Sequence, residues 1–239
     1  MPSVVLSASE LRVSYGAHEV LHGIDFNLRA GEICGIIGPN GAGKTTLLKS
    51  LYGLLKPTTG AVKYLGQDIT STNARARLQK GISYVPQERS VFPNLTVTEN
   101  LELALTSLPE RRTGDQAARQ MELVLELFPR LRERRLQLAG TMSGGEQRMV
   151  AISIGLMAQP RVLMLDEPTT GLAPQVVHLL MSVIKRLNQE HGIATIIVEQ
   201  NVLSMIKIAD RIQIVKGGHG SEFGGSPLNL TQQQLLEFL

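Results

Sequence analysis

Gly38-Pro39-Asn40-Gly41-Ala42-Gly43-Lys44-Thr45 stands between an apolar run, Glu32-Ile33-Cys34-Gly35-Ile36-Ile37, and an amphipathic one, Thr45-Thr46-Leu47-Leu48-Lys49-Ser50-Leu51. The octet fits the spacing G-x-x-x-x-G-K-[ST]. The first run reads as a short buried strand and the second as the opening of a helix, so the loop lies where a phosphate-gripping loop must lie. Glycines let the backbone curl until several N–H groups face one oxyanion, and the helix N-terminus adds its partial positive charge. Lys44 is placed to reach the β- and γ-phosphates of a nucleotide, and the Thr45 hydroxyl to ligate Mg²⁺. Gly38, Pro39, Asn40, Gly41, Ala42, Gly43, Lys44, Thr45 and Thr46 are the candidate nucleotide-binding residues of this loop.

A second motif says what the nucleotide is for. Arg161-Val162-Leu163-Met164-Leu165-Asp166-Glu167-Pro168 is an apolar strand that ends in two acids and is stopped by proline. The C-terminal ends of strands are the usual ligand edge of an open parallel sheet. Asp166 is expected to hold Mg²⁺, directly or through water, and Glu167 to polarise the water that attacks the γ-phosphate. Alone, two acids at a strand end are ordinary; beside a phosphate loop they gain meaning.

At 239 residues and 43% apolar content, the chain can build one large α/β domain or two small ones around a real core. Its net charge of +3 is spread along the sequence, so charge points neither to nucleic acid nor to an anionic membrane as a partner. The single Cys34 cannot form an intrachain disulfide and reads as a small core residue, which suits a reducing cytoplasm. The first ten residues carry no basic leader and too short an apolar run for a secretory signal, and no segment has the length to span a bilayer. A membrane role is therefore expected to run through partner proteins.

Glu10-Leu11-Arg12-Val13-Ser14-Tyr15 and Ile24-Asp25-Phe26-Asn27-Leu28 alternate as half-buried antiparallel strands do, and Gly60-Ala61-Val62-Lys63-Tyr64-Leu65-Gly66 does the same. Gly81-Ile82-Ser83-Tyr84-Val85 reads as a buried strand. From residue 98 to about 137 the chain is rich in Leu, Glu and Arg and poor in β-branched residues, which predicts a helical insert divided by Pro109 and Pro129. Met149, Ile152, Ser153, Leu156 and Met157 recur at helical spacing and predict a helix from about 143 to 158. Val176, Val177, Leu180, Ile184 and Leu187 predict another. Ile193-Ala194-Thr195-Ile196-Ile197-Val198 is a continuous apolar strand, Arg211-Ile212-Gln213-Ile214-Val215 a further one, and alternating strands and helices imply a parallel core. Residues 217–227 read as a loop-rich tail and residues 230–239 as a terminal helix.

Thr141-Met142-Ser143-Gly144-Gly145-Glu146-Gln147 opens the helix after the insert. Taken alone it is an S-x-x-E capping box whose Gly144 and Gly145 leave the first amides uncovered, which makes an anion site. It resembles the signature sequence of ATP-binding cassette (ABC) ATPases. That resemblance implies a P-loop NTPase core with a parallel sheet, an N-terminal antiparallel β subdomain and an inserted α-helical subdomain at about 88–160, all in one ABC ATPase domain over 1–239. It implies ATP and Mg²⁺ as cofactors, and a head-to-tail dimer in which Ser143, Gly144 and Gly145 face the γ-phosphate held by the other subunit. Tyr15, followed by Gly16, matches the aromatic that stacks on adenine, although a half-buried strand tyrosine explains it equally well. Gln87 in Tyr84-Val85-Pro86-Gln87 matches the glutamine that contacts Mg²⁺ and the attacking water, which groups it with Thr45 and Asp166 as metal contacts and with Glu167 and Gln200 as catalytic ones.

Within the family, Glu126-Leu127-Phe128-Pro129-Arg130-Leu131-Arg132-Glu133-Arg134-Arg135, Gly171-Leu172-Ala173-Pro174 and Val198-Glu199-Gln200-Asn201 look like the ATP-binding subunits of branched-chain amino acid importers, to which urea and short-chain amide importers are closely similar. Each arginine of the first run also fits a solvated helix. The resemblance implies transmembrane permease subunits as partners, a periplasmic or extracellular solute-binding protein acting indirectly, and a place on the cytoplasmic face of the cell membrane. Two positions depart from the family pattern: Gln200 stands where most members have a histidine that touches the γ-phosphate, and Ala173 where an aspartate is usual. Glutamine still donates a hydrogen bond but cannot become a cation. Because branched-chain importers use two distinct ATPase subunits, a heterodimer is expected, with a homodimer as the alternative. An exporter ATPase, a translation or repair ABC protein and a regulatory module without turnover are the rival readings. The single cassette and the absence of sustained heptads weigh against translation and repair.

Overall fold

The structure, a computed structural model, describes residues 3–88, 91–106 and 114–230. The chain opens with a hairpin, β1 (Val4–Tyr15) and β2 (His18–Arg29), followed by β3 (Ile33–Ile37), the phosphate loop and α1 (Lys44–Tyr52). Then come β4 (Thr59–Tyr64), the two-residue β5 (Gln67–Asp68), α2 (Ala74–Gln79) and β6 (Ile82–Val85). Helices α3 (Val97–Leu105), α4 (Asp115–Leu127), α5 (Pro129–Glu133) and α6 (Gly144–Met157) follow before the chain returns to strand in β7 (Val162–Asp166). It closes with α7 (Pro174–His191), β8 (Ala194–Val198), the short α8 (Val202–Met205), β9 (Arg211–Lys216) and β10 (His219–Glu222).

Two sheets result. One is antiparallel, in the order β2-β1-β4-β5; the other runs β10-β9-β3-β8-β7-β6, with its middle strands parallel and β10 antiparallel at the edge. Parallel strands buried on both faces read as unbroken apolar runs, and β3 shows why. Ile33 and Ile37 join the core shared with α3 to α7, while Cys34 and Ile36 point the other way, into the core shared with α1 and the antiparallel sheet. β7 divides likewise, with Leu163 and Leu165 on one side and Val162 and Met164 on the other. Cys34 is the small core residue its sequence position suggests, and burial pushes its thiol pKa up to about 12. Among the described residues no helix is long and apolar enough to cross a membrane.

Two readings are corrected, and one helix has no counterpart among them. Residues 217–227 are not simply a loop-rich tail, because His219–Glu222 pairs with β9 in the register Lys216↔His219 across a turn at Gly217 and Gly218, both at positive φ. All four residues of β10 are exposed, so no apolar alternation marks the strand; the Gly-Gly pair is its one local signal. The first hairpin is longer than its alternation suggests. Glu10 has φ 47 and the β1–β2 register shifts between Ala8 and Leu11, a bulge that reverses the phase of the pattern before it. The helix α2 was not read at all. The divided insert is seen at Pro129, the first residue of α5; Pro109 and the expected terminal helix after Leu230 lie outside the described residues.

Helix α2 matters because of Arg77, which is 0% exposed. Its guanidinium donates to the carbonyls of Ser50 (2.8 Å) and Leu51 (2.7 Å) in the last turn of α1, and to Ile69 (2.7 Å), Thr70 (3.3 Å) and Thr72 Oγ1 (3.2 Å). A cation there opposes the negative end of the helix whose other end forms the phosphate loop. Removing it strands several buried acceptors at once. Arg77→Met, which keeps much of the volume, is expected to lower the unfolding free energy by about 3–5 kcal/mol, as for one half of a buried polar set. Denaturant titration measures this, and a loss below about 1 kcal/mol, the net worth of a single hydrogen bond, would contradict the assignment.

Candidate functional site

The phosphate loop joins β3 to α1 through left-handed backbone that only glycine adopts freely. Gly38 sits at φ +152 with a Cβ position 1.9 Å from the Val215 carbonyl oxygen, so no side chain fits there. Gly43, at φ +106, precedes α1 and offers no side-chain cap, which leaves the first amides of the helix bare. Gly41, at φ +78, has open space where a side chain would stand. A concavity lined by Val20, residues 40–46 and Glu167 lies over these amides, and it is the cradle a phosphate needs. Lys44 is buried at its rim, with Nζ donating to the carbonyls of Gly38 (2.7 Å) and Pro39 (2.8 Å). Burial pulls the Lys44 pKa down, against the pull of Glu167 and Asp166.

The two acids at the end of β7 have different surroundings. Asp166 accepts from Thr45 Oγ1 at 3.1 Å on one oxygen and from the Tyr84 hydroxyl at 2.9 Å on the other. Burial raises its pKa, and these two hydrogen bonds oppose the rise. No group of three or more His, Cys, Asp or Glu side chains among the described residues could hold a metal alone. Thr45 and Asp166 instead offer two adjacent hard oxygens, the donor set of a Mg²⁺ whose other ligands are phosphate and water.

Glu167 is buried, with a backbone φ of 46, a left-handed conformation that costs a non-glycine residue on the order of 1–3 kcal/mol. Three side chains converge on its carboxylate. Gln87 Nε2 donates at 2.7 Å, Thr170 Oγ1 at 3.0 Å, and Gln200 Nε2 at 2.9 Å to each oxygen. Gln87, which the resemblance groups with Thr45 and Asp166 as a metal contact, thus directs its side-chain N–H to Glu167. Behind them, buried Glu199 accepts from the backbone N–H of Thr169 at 2.8 Å and of Asn201 at 3.4 Å, which ties the chain after β8 to the chain after β7. Burial raises its pKa.

Ser143 caps α6 as the capping box requires: its Oγ accepts from the Glu146 N–H, and Glu146 Oε2 accepts from Ser143 N (3.0 Å) and Oγ (2.9 Å). Arg130 and Arg134 both pair with Glu146, at 3.1 and 3.3 Å, so two arginines of the basic run brace the cap. Gly144 lines a cleft together with Gln87, Arg148 and Glu167, and this cleft shares only Glu167 with the phosphate cradle. Tyr15 closes β1 and is 47% exposed, which fits a half-buried strand residue as well as a ring that takes a stacking partner. Sequence reasoning missed Tyr84, Thr170, Glu199 and Arg148. Tyr84 lies in the same short strand end as Gln87 and Thr170 in the same loop as Glu167, but nothing local marks which side chain turns inward.

Residues 21–170 match the ABC transporter family. The chain is 41% identical over 214 residues, 90% of each protein, to the high-affinity branched-chain amino acid transport ATP-binding protein BraG of Pseudomonas aeruginosa. It is 35% identical over 214 residues to the lipopolysaccharide export system ATP-binding protein LptB of Haemophilus influenzae, covering 90% of this chain and 88% of that one. The structure superimposes with a TM-score of 0.81 and 25% identity on a dimeric post-hydrolysis ATP-binding cassette bound to ADP and Pi, covering 92% of this chain and 99% of the other.

The geometry separates binding from turnover in two variants. Glu167→Gln is expected to retain ATP affinity and slow hydrolysis by roughly 10²–10⁴, the loss typical of a missing general base; hydrolysis within about twofold of the parent would remove Glu167 from that role. Lys44→Ala deletes a charge-assisted phosphate contact and is expected to weaken ATP binding itself, measured by titration calorimetry. Unchanged affinity would count against the cradle.

Proposed function

The chain belongs to the ABC transporter family, as an ATP-hydrolysing cassette, and from that premise we propose that it drives uptake of branched-chain amino acids through a separate membrane permease. The likeness to BraG over nine-tenths of both chains carries the choice of solute class. The phosphate cradle of residues 38–46 holds the nucleotide, with Lys44 on the β- and γ-phosphates and Tyr15 against the adenine. Mg²⁺, held by Thr45 and Asp166, supplies charge neutralisation at the phosphates. Glu167 orients and polarises the attacking water, and its three donors, Gln87, Thr170 and Gln200, fix where the carboxylate points. Ser143, Gly144 and Gly145 face the γ-phosphate of a second cassette in a head-to-tail dimer, since the capped start of α6 lies outside the lining of this chain's own phosphate cradle.

A permease fits beside Gln87, at the cytoplasmic face of the membrane. There a groove between β6, α3 and α6 is lined by Tyr52, Leu78, Phe92, Leu103 and Ile154, with Phe92 53% exposed. An apolar groove next to a residue that touches Glu167 would let partner contact bear on hydrolysis. The second cassette is a different protein: Gln200 cannot become cationic and Ala173 leaves α7 without a side-chain cap, so a partner with a standard site compensates. The resemblance to LptB keeps a lipid exporter as the second reading.

Ser143→Arg is expected to leave the monomer folded and ATP-binding while abolishing ATP-dependent dimerisation in a Glu167→Gln background, read by light scattering. A dimer as tight as the parent's would refute the trans role of Ser143. Purified with its native membrane partners and reconstituted in vesicles, the transporter is expected to take up leucine, isoleucine or valine with ATP and to hydrolyse faster than the isolated chain. ATP-driven lipid release without amino acid uptake would move the assignment to the exporter reading. Complexes holding two copies of this chain and no other ATPase would end the heterodimer proposal.

A further inference from the structure

Arg148 lies on α6, five residues after Ser143, and its guanidinium is spent entirely on backbone. Nε donates to the Pro168 carbonyl at 3.0 Å, Nη1 to Pro86 at 2.6 Å, and Nη2 to Asp166 at 3.1 Å and Glu167 at 2.6 Å. Three of these acceptors are consecutive. The left-handed turn at Glu167 swings the carbonyls of residues 166–168 toward one point, and Arg148 occupies it. The fourth belongs to the residue before Gln87. One side chain therefore holds the backbone of both strand ends whose side chains, Glu167 and Gln87, meet at 2.7 Å. Burial lowers the Arg148 pKa, yet nearby Glu199, Asp166 and Glu167 favour its cationic form.

We propose that Arg148 is a positioning residue for hydrolysis. By fixing the carbonyls around Glu167 and before Gln87 to the helix that begins at Ser143, it transmits occupancy of that helix start to the water-polarising carboxylate of the same chain. The proposal rests on the reading of Glu167 as the group that polarises water. In a head-to-tail dimer, the start of α6 serves one ATP and Glu167 the other, so this four-bond clamp joins the two sites through one rigid side chain. Lysine cannot replace it, because a single ammonium has no planar fork with which to reach four carbonyls.

The test compares Arg148→Lys, Arg148→Gln and Arg148→Ala with the parent and with Glu167→Gln, each assayed as the full chain in the assembled transporter. All three substitutions are expected to keep ATP affinity within about twofold while kcat falls about 10²-fold, the scale of a misplaced catalytic group. Guanidinium ion at sub-denaturing concentration is expected to restore part of kcat to Arg148→Ala and none to Glu167→Gln. A merely structural arginine would lower thermal stability and activity together and show no rescue. If Arg148→Ala does not fold, Arg148→Lys carries the test through its kcat loss at unchanged ATP affinity. Parent-like kcat in the Arg148 variants beside a dead Glu167→Gln overturns the proposal alone. An active Glu167→Gln overturns the reading beneath it.

Discussion

The parallel register of four neighbouring strands is the constraint on which the site depends. Ile36 of β3 stands opposite Val198 of β8, Val198 opposite Asp166 of β7, and Leu165 of β7 opposite Val85 of β6. Within two residues of that line each strand brings one residue of the site to the same edge: Gly38, Gln200, Glu167 and Gln87. No loop has to reach far. A slip of one residue in any pair would exchange the two core faces of the strand and carry its functional residue away, so the apolar packing that fixes register also fixes the chemistry.

The same edge concentrates charge that a core would reject. Lys44, Asp166, Glu167 and Glu199 are all buried, and each is supported by hydrogen bonds rather than by a close opposite charge. Lys44 rests on carbonyls, Asp166 on two hydroxyls, Glu167 on two amides and a hydroxyl, Glu199 on backbone N–H groups. Neutral dipoles stabilise an ion without discharging it, so the buried carboxylates keep their charge at this edge.

How much of this the sequence revealed follows the range of the interactions. The phosphate loop, the two acids and the capping box are each set by residues a few positions apart. The helix expected at 143–158 runs from its cap at Ser143 to its end at Ala158. Arg148 was invisible because its four acceptors come from two strand ends brought together only by folding; in sequence it simply follows two other polar residues, Glu146 and Gln147. Tyr84 and Thr170 were hidden for the same reason. β10 was missed because its residues are all exposed and show no apolar alternation, and the start of β1 because a bulge at Glu10 inverted the alternation. Long-range polar contacts leave no periodic trace.

Cys34 lies in the strand that feeds the phosphate loop, fully buried, with a thiol whose pKa stands near 12. It is the chain's one cysteine, and at neutral pH almost none of it is the thiolate that maleimides and iodoacetamides attack. The native protein therefore gives little background to thiol-reactive labels. Cysteines introduced in pairs, one on α3 and one on β10, would take up fluorophores or spin labels without first deleting a residue of the core, and distance measurements between them would report how the helical region moves against the sheet during turnover.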